Sequence, residues 1–226
     1  MGVLAAGHLA LWVAAYLVGG IPSGYLIGRA RGIDIRQHGS GNIGATNVGR
    51  VLGKPWGFLV FLLDAGKCFA LMQIAQRGFA QQNNAHLTSA GAWVLFGAGL
   101  AAIIGNVAPI YLKFRGGKAV AAAVGTLVGV WPYLAVPLLA SLLVWIVVLQ
   151  VSRYVSLASI LAAAAYPLFV IALAVWLKWP LGEIYPLVIL SALLAIIILV
   201  RHRANIARLL SGTEQKVGGP RLAPKS

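Results

Sequence analysis

The side chains that could bind or transform a ligand collect in three short stretches of this 226-residue sequence. The first, GSGNIGATNVGR at 39–50, belongs to a segment, 24–53, that holds eight glycines. Glycine at that density lets backbone come close to a ligand and turn its amides toward an anion. A plain linker has no need of Ser40, Asn42, Thr46, Asn47 and Arg50 among those glycines, so the stretch reads as a site for an anionic or polar substrate, with Gly41 between Ser40 and Asn42. Residues 39–44 also spell GxGxxG, with Asp64 twenty residues on. A dinucleotide fingerprint requires a preceding strand and a βαβ unit; here an apolar run precedes it and Asp64 lies inside the next one, so that match is discarded.

The second stretch, KFRGGK at 113–118, runs directly into an alanine-rich segment. Gly116, Gly117 and Lys118 would put backbone amides, a helix dipole and an ammonium at one point, which suits phosphate. Membrane-flanking cations with a glycine turn account for the stretch equally well when it is taken alone. It is not a Walker A loop, since no glycine lies five residues before Gly117 and Ala119 stands where Ser or Thr would hold Mg²⁺. The third stretch, RHRANIARLLSGTE at 201–214, puts His202, Asn205 and Leu209 on one helical face, with Gly212 as its C-cap. A lone histidine in such a place is more often structural than catalytic. Ser156, in RYVSLAS at 153–159, reads first as a helix N-cap. Asp64 and Lys67, three apart, read as a buried ion pair rather than as chemistry.

The elements that must position these groups are membrane helices. Hydrophobic residues make up 60% of the chain and charged ones 10%, against roughly 25% charged in a soluble domain. Apolar runs at 3–24, 56–76, 89–110, 119–133, 134–151, 157–177 and 184–200 predict an all-α polytopic membrane helix bundle of about seven transmembrane helices. Six is the alternative, because the fourth and fifth runs are short and meet at Trp131, Pro132 and Tyr133. No separate soluble domain is left over, so residues 1–226 read as a single integral-membrane domain. The cations Arg29, Arg31, Arg36, Arg50, Lys54, Lys113, Arg115, Lys118 and Arg153, with those of the tail, fall in alternate loops, against Arg77 and Lys178 in the others. The positive-inside rule then makes the three polar stretches and the C-terminus cytoplasmic and the N-terminus external. Arg29, Arg31, Arg221 and Lys225 are covered by topology and attraction to anionic lipid.

Composition also excludes chemistry. Asp34, Asp64, Glu183 and Glu214 are the only carboxylates, too few for two-metal or paired-carboxylate catalysis. No metal site is expected. The net charge of +14 does not indicate nucleic acid, because the cations flank helices without interleaved aromatics. The single cysteine, Cys68, reads as a small buried hydrophobe.

Taken with LDAGK at 63–67 and SRYVSLASI at 152–160, the three stretches resemble the acylphosphate-dependent glycerol-3-phosphate acyltransferases of bacterial phospholipid synthesis, in order and in loop placement, over nearly the whole chain. The resemblance implies transfer of a fatty acyl group from acyl phosphate to the sn-1 hydroxyl of glycerol 3-phosphate, giving lysophosphatidic acid and phosphate, with no cofactor. It implies a multi-pass protein of the bacterial cytoplasmic membrane whose partners are its two substrates and membrane lipids. It marks Ser40 and Arg50 as essential, Gly116, Gly117 and Lys118 as a phosphate-binding loop, Ser156 as the serine of an SLxS element, and His202, Asn205 and Glu214 as the third motif. Ser40, Ser156 and His202 are then the candidate catalytic groups, and Gly41, Asn42, Thr46, Arg50, Asn205 and Glu214 join the phosphate loop as substrate contacts. The chain departs from the family at Asn106, usually histidine, and at Ala119, usually glycine. The HxxxxD acyltransferase mechanism is excluded, as none of His8, His38, His86 and His202 has Asp five residues later. Alternatives from other classes are a small transporter of an anionic solute, which would show internal repeats and polar residues deep in its spans, and a CDP-alcohol phosphotransferase, which would need a cluster of aspartates.

Overall fold

The computed structural model describes residues 2–80 and 87–217, and these are helical apart from short connections. His86, Arg221 and Lys225 lie outside the described residues. The first apolar run folds as two helices, α1 (Gly2–Gly20) and α2 (Ser23–Ala30). Pro22 has no amide proton and keeps Ile21 out of the helical region, so the ladder stops there. The carbonyl of Ile21 accepts a hydrogen bond from Lys67 Nζ at 2.5 Å, and Ser23 Oγ donates to Asp64 Oδ1 at 2.8 Å. Asp64 and Lys67 pair at 2.7 Å. The ion pair legible in the sequence thus fastens the α1–α2 joint to α4 (Lys54–Ala75), and the short α3 (Ala45–Val51) leads into α4.

Thr88 caps α5 (Ser89–Val107), its Oγ1 accepting from Gly91 N at 3.2 Å. Helices α5 and α1 pack with backbones nearly touching. A Cβ added to Gly105 would stand 2.1 Å from the carbonyl oxygen of Tyr16, so only a residue without a side chain permits the approach.

The run at 119–133 is the point where the structure departs from the expected helices. It contains α6 (Val120–Val128), nine residues or about 13.5 Å, less than half of a ~30 Å hydrocarbon core. The helix ends at Gly129, and Pro132 cannot continue it. Residues 129–134 nevertheless reach the far end of the bundle, where Gln73 and Gln76, at the end of α4, donate to the carbonyls of Gly129 and Trp131 at 2.9 and 2.8 Å. The Tyr166 hydroxyl donates to Leu134 O at 2.8 Å. Non-helical backbone at such depth requires protein partners of this kind. Among the described residues six helices are long and apolar enough to cross a membrane; this half-length helix and its bonded turn are not one of them.

Helices α7 (Ala135–Ser152), α8 (Val155–Trp176) and α9 (Leu181–Arg201) run up and down, with α9 against α5, and α10 (Arg203–Leu210) follows α9. The main core lies among α4, α5, α6 and α9, around Met72, Leu95, Ile103 and Leu190. A second, smaller core of Ile35, Ile43, Val48, Val60 and Leu112 lies under the loops and holds the first polar stretch in place.

Candidate active site

The loop at 39–44 is shaped by Asn47. This side chain is 2% exposed; its Oδ1 accepts from Ser40 N at 2.8 Å, and its Nδ2 lies within 3.3 Å of the carbonyl oxygens of Ile35, His38 and Asn42. Asn42 Oδ1 takes the Gly44 amide at 2.8 Å. Gly39 has φ +59°, and a Cβ there would lie 2.4 Å from Asn47 Oδ1, so the turn requires glycine. With Asn47 spent on the loop, Ser40 and Thr46 are left exposed toward a cavity that Arg50 also lines. Sequence reading places Asn47 among the polar residues of this stretch but not as its organiser; its spacing from Ser40, Asn42 and Ile35 becomes meaningful only once the loop closes on it.

The second stretch differs from the expectation that the glycine amides face a phosphate. Gly116 N donates to Val107 O and Gly117 N to Asn106 O, both at 3.0 Å, so neither amide is available. Their carbonyls are also engaged: Arg201 Nε donates to Gly117 O at 3.0 Å and Nη2 to Gly116 O at 2.9 Å. Gly116 is needed for space, since a Cβ would meet Asn106 O at 2.2 Å. The anion-seeking groups here are the Lys118 ammonium and the first turn of α6, which no side chain caps. Ala119, just before that turn, has φ +60°, a left-handed conformation in which alanine is strained and glycine is not. Arg201 is a site residue that the sequence hides, because its partners lie 84 and 85 positions away.

Glu214 ties the third stretch to the others. Its Oε1 accepts from Ser156 Oγ at 2.8 Å and Asn205 Nδ2 at 2.7 Å, and its Oε2 from Arg208 Nε at 2.7 Å. Glu214, expected as a substrate contact, is a buried hub whose two carboxylate oxygens both accept hydrogen bonds from the protein. Ser156 likewise does not cap α8; Tyr154 occupies the N-cap with no side-chain bond, and the serine hydroxyl goes to Glu214. Asn205 Oδ1 accepts from Lys118 Nζ at 2.5 Å, so the hub aims the ammonium.

Electrostatics follow from this packing. Burial pushes Lys118 down to about 8; Glu214 opposes the shift, and Arg208, Arg50 and Arg201 add to it. Burial also lowers Arg50. Burial would raise the Glu214 carboxyl, but its bonds from Asn205, Ser156 and Arg208 outweigh that and hold it below the ordinary range. His202, 3% exposed, is lowered chiefly by burial, with Lys118 adding to the shift and its bond to the Ile198 carbonyl opposing it. That bond, 2.8 Å from Nδ1 to Ile198 O, requires a proton on Nδ1, so the neutral ring carries its lone pair on Nε2.

Ser40, Asn42, Thr46, Arg50, Gly117, Lys118, Ser156, His202, Asn205 and Glu214 all line one cavity of about 560 Å³. Gly41 and Gly116 do not; they border a neighbouring cleft with Arg36, Arg115 and Arg201. The main cavity continues from this polar end into an apolar trough bounded by Leu127, Trp131, Leu138, Leu142, Trp145 and Tyr166. It is shaped for an amphiphile with an anionic head. Among the described residues no three His, Cys, Asp or Glu side chains converge as metal ligands would.

The family model for glycerol-3-phosphate acyltransferase matches residues 9–212. The chain belongs to that family. Relatives of the same name are 46% identical in Gloeobacter violaceus, over 94% of this chain and 96% of theirs, and 41% identical in Aquifex aeolicus, over 92% and 98%. A glycerol-3-phosphate acyltransferase of Staphylococcus aureus is 41% identical over 92% and 97%. Crystal structures of PlsY (YgiH), an integral membrane glycerol 3-phosphate acyltransferase, match this fold at 39% identity over 94% of this chain and 96% of theirs. The TM-score is 0.81 for the glycerol 3-phosphate form and 0.78 for the lysophosphatidic acid form. The family match takes in every site residue above except Glu214.

Proposed function

We propose that this protein transfers a fatty acyl group from acyl phosphate to the sn-1 hydroxyl of glycerol 3-phosphate, releasing lysophosphatidic acid and inorganic phosphate. One observation carries the reading: a single cavity joins a cationic, hydroxyl-bearing end to an apolar trough, as a reaction joining a phosphorylated polyol to a fatty chain requires. Family membership and the relatives' names support it.

Acyl phosphate is already activated, so positioning and charge stabilisation suffice. The sn-1 oxygen attacks the acyl carbonyl carbon, the bond from that carbon to the phosphate oxygen breaks, and phosphate leaves. Arg50, Lys118 and the α6 N-terminus hold phosphate oxygens; Ser40 and Thr46 orient polar oxygens. Asn205, Ser156 and Glu214 hold Lys118 in position, and His202 Nε2 accepts the hydroxyl proton. The acyl chain lies in the trough. No acyl-enzyme forms, and no metal or nucleotide takes part.

The whole chain acts as one integral domain of the bacterial cytoplasmic membrane. The excess of Lys and Arg at the site end, against Arg77 and Lys178 at the other, favours an active site facing the cytoplasm and an external N-terminus. The deciding assay uses purified protein in detergent: phosphate release from acyl phosphate that depends on glycerol 3-phosphate is expected. Its absence overturns the reading in favour of an anion transporter. A stable acyl-serine or acyl-cysteine adduct formed with labelled acyl phosphate alone overturns direct transfer.

A further inference from the structure

Four asparagines line the cavity, Asn42, Asn47, Asn106 and Asn205. Three are committed to the protein: Asn42 to the Gly44 amide, Asn47 to the 39–44 loop, and Asn205 to Lys118 and Glu214. Asn106 uses only its backbone, whose carbonyl holds Gly117 N. The residue is 9% exposed; its side chain lies at the end of α5 beside Gly117 and makes no hydrogen bond among the described residues. Asn106 lines the substrate cavity, so an amide the protein leaves without partners is open there to a group that both donates and accepts.

The structure assigns Asn106 as a specificity-determining residue that binds the non-reacting 2-hydroxyl of the glycerol acceptor. This rests on the acyltransferase reading above. The chemistry selects the partner. A phosphate and the acyl carbonyl oxygen offer only acceptors, the phosphate being already met by Arg50 and Lys118; the hydrocarbon chain offers neither donor nor acceptor, and the reacting 1-hydroxyl is taken by His202. A hydroxyl donates and accepts, as a primary amide does. Because Asn106 O holds Gly117 N, next to Lys118, while the residue lines the cavity, one residue couples the place of the phosphate-holding ammonium to that of the acceptor's middle carbon.

The test compares kcat/KM for glycerol 3-phosphate and for 3-hydroxypropyl phosphate, which lacks the 2-hydroxyl, at saturating acyl phosphate. Wild type is expected to prefer glycerol 3-phosphate roughly ten- to a hundred-fold, because the shorter-handed acceptor leaves the amide unpaired. Asn106→Ala should lose most of that factor on glycerol 3-phosphate while changing 3-hydroxypropyl phosphate by less than about threefold, so the preference collapses. Asn106→Ser, which keeps a small polar group, should recover part of it. Equal loss on both acceptors in Asn106→Ala overturns the assignment in favour of a loop-supporting role. Should the variants fail to fold, wild type still decides, since use of both acceptors with equal efficiency overturns it. No turnover of either acceptor by wild type overturns the acyltransferase reading as well.

Discussion

Lys118 carries the clearest consequence at the scale of a single residue. Its ammonium is held by Asn205 at 2.5 Å, and burial brings its pKa to about 8. Below that pH it is a cation able to hold phosphate; above it the charge is lost. Measured kcat/KM for glycerol 3-phosphate should therefore fall above about pH 8, by roughly tenfold per pH unit. Lys118→Ala removes a charge-assisted contact worth about 1.5–3 kcal/mol, a ten- to hundred-fold loss in kcat/KM. Lys118→Arg should regain part of the activity and move the alkaline limb upward, because guanidinium stays charged; an unmoved limb would assign the titration to another group. His202 is separable by magnitude. If Nε2 takes the proton, His202→Ala should cost roughly 10²–10⁴ in kcat/KM; a loss below tenfold would leave that step to a substrate phosphate oxygen.

Elements decide what the residues can do, and they were only partly legible in the sequence. Ser40 and Arg50 stand out by type and spacing, Lys118 and His202 only through the resemblance of the whole set of motifs, and the structure gathers all four in one cavity. Arg201 does not stand out, because its job is to hold two carbonyls more than eighty positions away. The protein bonds of Glu214 are not legible in the sequence, because its three partners come from α8 and α10. The run at 119–133 is as apolar as its neighbours, and hydropathy cannot tell a spanning helix from a turn whose carbonyls are answered by Gln73 and Gln76. Replacing both glutamines by leucine should lower stability in detergent by about 1–3 kcal/mol per lost partner, read as a fall in Tm, even though the change makes α4 more hydrophobic. Ala119→Gly should act in the opposite direction. Relief of the left-handed strain at φ +60° predicts a stabilisation of roughly 1 kcal/mol, read as a rise in Tm.

At the scale of the whole molecule the arrangement of charge is the testable quantity. Cys68 is buried and is the only cysteine, so a cysteine introduced elsewhere can be labelled almost without background. In intact cells a membrane-impermeant maleimide should label Lys178→Cys, in the α8–α9 connection, and leave Thr213→Cys, beside Glu214, unlabelled until the membrane is opened. The reverse pattern would invert the proposed orientation while leaving the chemistry untouched.

The joined cavity has a kinetic corollary. In the proposed reaction glycerol 3-phosphate needs only the polar end and an acyl phosphate has no glycerol, whereas lysophosphatidic acid has a head and a chain to match polar end and trough at once. A pocket complementary along its full length to what it makes holds that molecule as turnover ends, so release, rather than bond making, becomes the slow step. The bilayer then serves as a sink that draws the lipid out. Reconstitution into lipid should raise kcat relative to sparse detergent, and added lysophosphatidic acid should inhibit competitively against both substrates.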